Sequence, residues 1–192
     1  LAIEKQLAAV ICIEDPLREE AATVMTMLRK VGFDKIVMMT GDSERIAGTI
    51  ASKVGVDEYY SEVLPEEKAD YVKKQRTAGR KVVMVGDGIN DSLALSAADV
   101  GIAINDGAQI AKEIADITIE ADSLSGLVTL RAISCGLMER IRRNYIQIVG
   151  INSGLILLGI AGMIQPTTSA MLHNVSTLII GVNNMKELVD RT

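Results

Sequence analysis

Through its first 143 residues the chain alternates short apolar runs with longer amphipathic stretches. Runs of strand length fall at Leu7–Ile13, Lys35–Thr40, Lys81–Gly86, Val100–Ile104 and a short Ile117–Ile119. Helical periodicity covers Leu17–Val31, Ser43–Val54, Pro65–Ala78, Asp91–Ala97, Gln109–Ala115 and a longer stretch from Leu124 to about Arg143. Gly32, Gly55 and Gly79 read as helix stops, and Pro16 and Pro65 as helix starts. Strand and helix in regular succession predict an α/β domain whose mostly parallel sheet is covered by helices. No internal repeat or low-complexity linker interrupts this stretch, so it reads as one domain.

The alternation stops at Asn144. From there to Met185 run 42 consecutive residues without one Asp, Glu, Lys or Arg, where average usage would place about ten. Gln165-Pro166-Thr167-Thr168 divides the tract into Tyr145–Ile164 and Ser169–Met185. The first has the ~20 residues that cross a bilayer core, and the second, at about 17, is at the short end. Arg140, Arg142 and Arg143 precede the tract, Lys186 and Arg191 follow it, and the turn between is uncharged. The positive-inside tendency therefore places both ends in the cytoplasm. The expectation is a two-helix transmembrane hairpin; the competing reading is a buried helical hairpin, which so short a chain has little material to cover.

Composition adds exclusions. With one Phe, four Tyr and no Trp, aliphatic side chains and nine Met must fill the core, and stacking on single-stranded nucleic acid is disfavoured. A net charge of −5 argues against a nucleic-acid partner, though it leaves any local membrane-facing charge open. Cys12 and Cys135 have no CxxC spacing, which fits reduced thiols better than a disulfide framework or a zinc site. Leu1-Ala2-Ile3-Glu4-Lys5 offers neither an initiator Met nor a signal peptide, and reads as the interior of a longer chain.

In a parallel α/β sheet, ligands sit beyond the carboxyl ends of the strands. Here those positions are Thr40-Gly41-Asp42 and Gly86-Asp87-Gly88-Ile89-Asn90-Asp91. Their glycines let backbone N–H groups approach an anion, and a helix N-terminus follows each loop. Carboxylates beside an anion cradle call for a cation: Asp87 and Asp91 are hard oxygen ligands suited to Mg²⁺. Helix-capping aspartates in glycine-rich turns are the plainer explanation of either loop alone. Lys68 lies near the start of the helix opened by Pro65-Glu66-Glu67, where the helix dipole disfavours a cation unless an anion compensates it. A bound phosphate would do so, while Glu66 and Glu67 screening a surface lysine is the alternative.

Asp15-Pro16-Leu17-Arg18, Thr40-Gly41-Asp42, Pro65-Glu66-Glu67-Lys68 and Gly86-Asp87-Gly88-Ile89-Asn90-Asp91-Ser92-Leu93-Ala94-Leu95 occur in an order and spacing that resembles the P-type ATPases of the haloacid dehalogenase superfamily. The likeness covers the whole chain and is nearest to the transition-metal subgroup. It implies a Rossmann-like haloacid dehalogenase fold divided as follows: 1–13 returning from a nucleotide-binding domain, 14–125 the later part of a phosphorylation domain, 126–143 a connecting helix, 144–185 two transmembrane helices and 186–192 a cytoplasmic tail. It also implies a cycle in which an aspartate takes the γ-phosphate of ATP and is then hydrolysed, driving metal export across a cell membrane with the phosphorylation domain in the cytoplasm. On that likeness Asp87 binds Mg²⁺, with Asp91 and Asn90 supporting the cluster. Lys68 neutralises phosphoryl oxygens, Thr40 hydrogen-bonds them, Gly41 and Asp42 shape their loop, Gly86 and Gly88 form the phosphate or nucleotide loop, and Asp15 to Arg18 lie at a domain hinge.

The family's phosphorylated Asp-Lys-Thr-Gly is absent from these 192 residues. The chain alone is thus expected to form no phosphoenzyme, and to leave two strands with unpaired edges where the strand carrying that aspartate would lie. The expected partners are the remainder of the pump, the bilayer and the metal. Met171-Leu172-His173-Asn174-Val175-Ser176-Thr177 aligns with the family's metal-selecting segment. Copper pumps carry Met in place of His173 and zinc pumps Asp; a cobalt-like class has His followed by Glu and Gly, a pattern that Asn174 and Val175 break. Asn152, Ser176 and Thr177 are further candidates. Imidazole and amides replacing a soft thioether disfavour copper and point to a divalent ion such as cobalt, manganese, iron or zinc. For His173 the plainer role is a helix-to-helix hydrogen bond worth about 1 kcal/mol. The alternative for the whole chain is a membrane-tethered, non-catalytic fragment that binds phosphate or nucleotide as a regulator.

Overall fold

The computed structural model describes residues 2–3, 6–7, 17–86, 90–104, 114–119 and 123–186. It divides into two compact units, Leu1–Gly126 and Leu127–Thr192. The first begins with a two-residue antiparallel pair, β1 (Ala2–Ile3) and β2 (Gln6–Leu7). The expected strand Leu7–Ile13 and the expected helix Gln109–Ala115 fall mostly outside the described residues.

Helix α1 (Ala21–Lys30) buries Ala21, Val24 and Leu28, and α2 (Glu44–Val54) buries Ala47, Ala51 and Val54. These i, i+3/i+4, i+7 stripes give each helix one apolar face, and the two helices pack together. Between them lies β3 (Val37–Met39), which pairs in parallel with β4 (Glu58–Tyr60), Val37 opposite Glu58 and Met39 opposite Tyr60. A second parallel sheet has the order β5 (Val83–Gly86), β6 (Val100–Ile104), β7 (Ile117–Ile119). Helix α3 (Pro65–Thr77) precedes β5, and α4 (Ser92–Ala97) follows it. Gly32, Gly55 and Gly79, the expected helix stops, have φ of 96°, 77° and 82°, the left-handed region that a residue with Cβ enters at a cost.

One core joins both sheets. Ala69 and Val72 of α3, Met84 of β5 and Ala94 and Leu95 of α4 are buried together, and Met39 of β3 packs against them. Yet among the described residues β3 pairs only with β4, and β5 only with β6. Among the described residues, two parallel strands thus border one core with an unpaired edge each. Glu20 ties the far end of this unit to its beginning: its carboxylate accepts from the Leu124 N–H at 2.6 Å and the Ser123 hydroxyl at 3.1 Å.

The second unit is a helical hairpin. Helix α5 runs unbroken over Ser125–Ile160, and α6 covers Pro166–Asn183. The connecting helix and the first uncharged span are therefore one helix, because neither a proline nor a left-handed glycine separates Arg143 from Tyr145. Arg140 donates to the carbonyls of Asn184 and Lys186, Asn144 to Asn184 Oδ1, and His173 meets Asn152, so the two helices run antiparallel. Among the described residues no helix is long and apolar enough to cross a membrane. The first 19 residues of α5 carry the charges, and α6 opens on Pro-Thr-Thr-Ser and bears His173-Asn174 at its middle. Both features lower the mean hydropathy of helices whose uncharged parts still expose Ile156, Leu157, Ile160 and Leu178.

Candidate functional site

The loop after β3 is built by short-range bonds. The Thr40 hydroxyl donates to Asp42 Oδ2 at 2.7 Å and accepts from the Asp42 N–H at 3.1 Å. The segment following β4 braces it: the Val63 N–H donates to the Thr40 carbonyl at 3.0 Å, and the Glu62 N–H to the Asp42 carbonyl at 2.9 Å. Glu62 adopts φ of 53° to do so, a left-handed conformation that costs a non-glycine residue about 1 kcal/mol. Gly41 is exposed, and a Cβ there would meet nothing within 4 Å, so the loop is open to a ligand's approach.

A second brace escaped the sequence reading. Glu44, the first residue of α2, accepts from the Ser61 hydroxyl at 2.5 Å and the Tyr59 hydroxyl at 2.7 Å. These bonds, Ser61's foremost, hold the Glu44 carboxyl below the usual range, and the same carboxylate raises the Tyr59 phenol. Gly48 leaves room for this contact, since a Cβ there would lie 3.2 Å from the Tyr59 hydroxyl. Its only sequence signal is an acid in a helix's first turn, which any helix start carries.

Lys68 lies one turn inside α3. Glu67 Oε2 accepts from the Leu64 N–H at 2.8 Å, capping the helix whose Pro65 supplies the first residue. The Lys68 ammonium then reaches Asp91 Oδ1 at 2.8 Å, and both side chains are only 13% exposed. The sequence left two anions for Lys68, a bound phosphate or the screening Glu66 and Glu67; the structure places a further one, Asp91, beside it. Asp91 is the N-cap of α4, and its carbonyl accepts from Leu95 N–H at 2.8 Å.

Gly86 makes this position available. A Cβ built on Gly86 would lie 2.6 Å from Asp91 Oδ2 and 2.7 Å from Asp91 Cβ, closer than a Cβ packs against any non-bonded heavy atom. The carboxylate therefore occupies the volume that a side chain at residue 86 would fill. Asn90 is exposed beside it; Asp87 and Gly88 lie outside the described residues.

The described donors are all oxygens, Asp91 Oδ2 in the glycine cradle and the Asn90 amide nearby, which suits a hard cation such as Mg²⁺. Among the described residues no three His, Cys, Asp or Glu side chains converge, so a full coordination sphere would draw on Asp87, on water and on a phosphate.

The remaining candidates lie in the second unit. His173 Nδ1 is 2.7 Å from Asn152 Oδ1. Which of the two donates is set by the imidazole tautomer and the orientation of the Asn152 amide. This is the helix-to-helix hydrogen bond of the plainer reading. The Ser176 and Thr177 hydroxyls both donate to the His173 carbonyl, at 2.8 and 3.0 Å. Asn174 is exposed on the same helix.

Known proteins extend these observations. Residues 1–99 match the hydrolase family described as haloacid dehalogenase-like hydrolase. A zinc-exporting P-type ATPase of Mycobacterium marinum is 40% identical over 187 residues, covering 97% of this chain and 26% of the relative. A manganese-exporting P-type ATPase of Mycobacterium leprae is 39% identical over 186 residues, 96% of this chain and 26% of the relative. Copper-transporting ATPase 2 of Rhizobium meliloti is 40% identical over 171 residues, 89% of this chain and 20% of the relative. The crystal structure of a zinc-transporting PIB-type ATPase in the E2.Pi state matches with a TM-score of 0.82 at 33% identity, over 88% of this chain and 28% of that one. The chain thus spans about a quarter of the length of such relatives. It belongs to the haloacid dehalogenase-like hydrolases, and its likeness within them is to the heavy-metal P-type ATPases.

Proposed function

We propose that the chain is the C-terminal part of an ATP-driven transition-metal pump, comprising the later half of its phosphorylation domain and a pair of membrane helices. The observation that carries this reading is the Lys68–Asp91 pair at 2.8 Å in the cradle left by Gly86, beyond the carboxyl end of β5, on a core bordered by two unpaired strand edges. Lys68 would hold the oxygens of a transferring phosphoryl group, and Thr40 would hydrogen-bond them. Asp87 and Asp91, with Asn90, would hold Mg²⁺, whose chemistry when bound is to offset charge on that group. Gly41 and Asp42 keep the Thr40 loop open, and Gly86 and Gly88 admit the phosphate. The aspartate that accepts the γ-phosphate of ATP would come from the remainder of the pump, on a strand between β3 and β5.

The membrane role of the hairpin rests on the relatives, on the 42-residue uncharged tract and on apolar side chains left exposed along both helices. A polar pair such as His173–Asn152 at membrane depth is costly and usually functional. Export of a divalent ion, cobalt, manganese, iron or zinc, suits the His173 imidazole and the amides of Asn152 and Asn174 better than export of copper does, with Ser176 and Thr177 adding oxygen donors. The relatives' own names include zinc, manganese and copper.

The test is binding of Mg²⁺ and beryllium fluoride to the 192-residue chain, by calorimetry, with and without a segment supplying an Asp-Lys-Thr-Gly strand. Binding only on complementation, lost in Lys68→Ala, is the expected result. Equal binding by the chain alone would favour the regulatory, non-catalytic reading, which the absence of that motif from these residues keeps in view.

A further inference from the structure

A second feature of the first unit lies at its other end, where the strands begin. Between the last turn of α3 and the start of β5 the chain places Lys73, Lys74, Arg76, Arg80 and Lys81 within nine positions. All five are exposed, with 65% of the Lys73 side chain and 89% of Lys81 open to solvent. Four of them, Lys73, Arg76, Arg80 and Lys81, line a shallow depression on a protein whose net charge is −5. Two carboxylates answer them: Asp70 near Lys73 at 3.4 Å, and Asp99, which takes Lys81 at 3.0 Å and Arg76 at 3.4 Å. The patch stays cationic. Basic residues in the last turn complement the dipole of α3, which accounts for Lys74 and Arg76 but not for Arg80 and Lys81 beyond the helix end.

The kind of partner follows from what the patch lacks. The Ala78, Gly79 and Arg80 N–H groups all donate to carbonyls of α3, and the helix presents its C-terminal, negative end. No backbone cradle for a single compact phosphate exists here. Arg76 and Arg80 already donate through Nη1 to the Ala97 carbonyl and the Gln75 amide, which leaves fewer of their N–H groups for one oxyanion. A protein partner would need an apolar or aromatic anchor, whereas lysine is depleted from interface cores; between Lys73 and Lys81 the exposed surface is charged, or is Thr77, Ala78 and Gly79. What remains is a diffuse layer of negative charge, which mobile lysines neutralise without fixed geometry.

We propose that Lys73, Lys74, Arg76, Arg80 and Lys81 form a surface that binds the headgroup layer of an anionic bilayer. The choice of a bilayer over other polyanions rests on the membrane reading of the hairpin given above. Each cation near such a surface contributes on the order of fivefold in binding, and the attraction fades within a Debye length of about 8 Å at physiological salt.

The test is partition of the full chain between buffer and vesicles of phosphatidylcholine, alone or mixed with phosphatidylglycerol, for the wild type, K74Q/R80Q/K81Q, R142Q/R143Q and the two sets combined, with circular dichroism as a check that each is folded. The expected result is that the wild type prefers the anionic vesicles, that K74Q/R80Q/K81Q loses this preference by about tenfold or more, and that the same loss appears when these substitutions are made in the R142Q/R143Q background. A preference left unchanged by K74Q/R80Q/K81Q in either background overturns the proposal. Displacement of the K74/R80/K81-dependent binding by millimolar inorganic pyrophosphate also overturns it, because that would mark a compact phosphate site. Failure of all four proteins to bind neutral vesicles would count against the hairpin reading, and the patch would still be judged by the variant comparison on anionic ones.

Discussion

Alanine at residue 86 is the sharpest perturbation of the candidate site. The backbone at Gly86 is not in the left-handed region, so a methyl group is opposed by contact and not by φ. That contact is specific: Asp91 Oδ2 at 2.6 Å must retreat to the 3.4 Å of ordinary packing, a shift of about 0.8 Å. Moved that far, the carboxylate leaves hydrogen-bond distance of Lys68, from which it now lies 2.8 Å. Overpacking and the loss of a charge-assisted bond between largely buried groups together cost about 1–3 kcal/mol. The reporter is hydrogen exchange, read by mass spectrometry on peptides covering 64–72 and 90–97 of the full chain. The Leu95 amide, which donates to the Asp91 carbonyl at 2.8 Å, should exchange about ten- to a hundredfold faster in Gly86→Ala, at tenfold per 1.4 kcal/mol. The decisive control is Asp91→Gly, which removes the Cβ at 2.7 Å as well as the carboxylate. In that background the methyl group enters vacated space, and the added cost should fall below about 0.5 kcal/mol. An equal cost in both backgrounds would refute the reasoning, since the clash would then not be with Asp91.

Other outcomes follow from the same contacts. Gly101→Ala should destabilise the β5–β6–β7 sheet by about 1–3 kcal/mol, because its Cβ would lie 2.8 Å from the Leu95 backbone oxygen, which cannot swing aside; exchange of the Ile102 and Ala103 amides checks it. Glu44 is held below its ordinary pKa by Ser61 and Tyr59, so its brace is fully present above about pH 4.5 and is lost as pH falls through the lower folded value. Glu44→Gln should therefore be less stable than wild type at neutral pH and equal to it in acid, read as proteolytic susceptibility of the 57–64 segment. Tyr71, packed 5.1 Å from Tyr60, is pushed up to about 12 chiefly by burial. Because its protonated form is the one the fold prefers, stability should hold below pH ~10 and fall between ~10 and ~12; Tyr71→Phe should remove that alkaline step and the last phenolate seen by ultraviolet titration.

Much of the architecture was legible in the residue order. Gly32, Gly55 and Gly79 stop helices because only glycine enters the left-handed region cheaply. Pro65 starts α3 because its fixed φ suits a first turn, and the apolar runs at β5 and β6 became strands. Strand β4 was not legible: Glu58-Tyr59-Tyr60 is three exposed residues, too few for a period of two to declare itself. Nor was the length of α5, because a change from charged to uncharged residues after Arg143 changes the solvent that a helix suits and leaves its backbone unbroken.

The sequence by itself determined where the candidate residues stand, since Thr40, Asp42, Lys68, Asn90 and Asp91 fall at strand ends and helix starts whatever the packing. Tertiary structure alone decided which of them meet. Lys68 and Asp91 are 23 residues apart and become partners at 2.8 Å because α3 and α4 share one core with Met84, and because Gly86 leaves the carboxylate room. His173 was singled out as a metal candidate because its segment resembles the metal-selecting one of the P-type ATPases; its bond to Asn152 across the hairpin exists only once α5 and α6 are laid antiparallel. Side-chain type and spacing are local properties, whereas a contact between distant residues depends on the packing of every element between them.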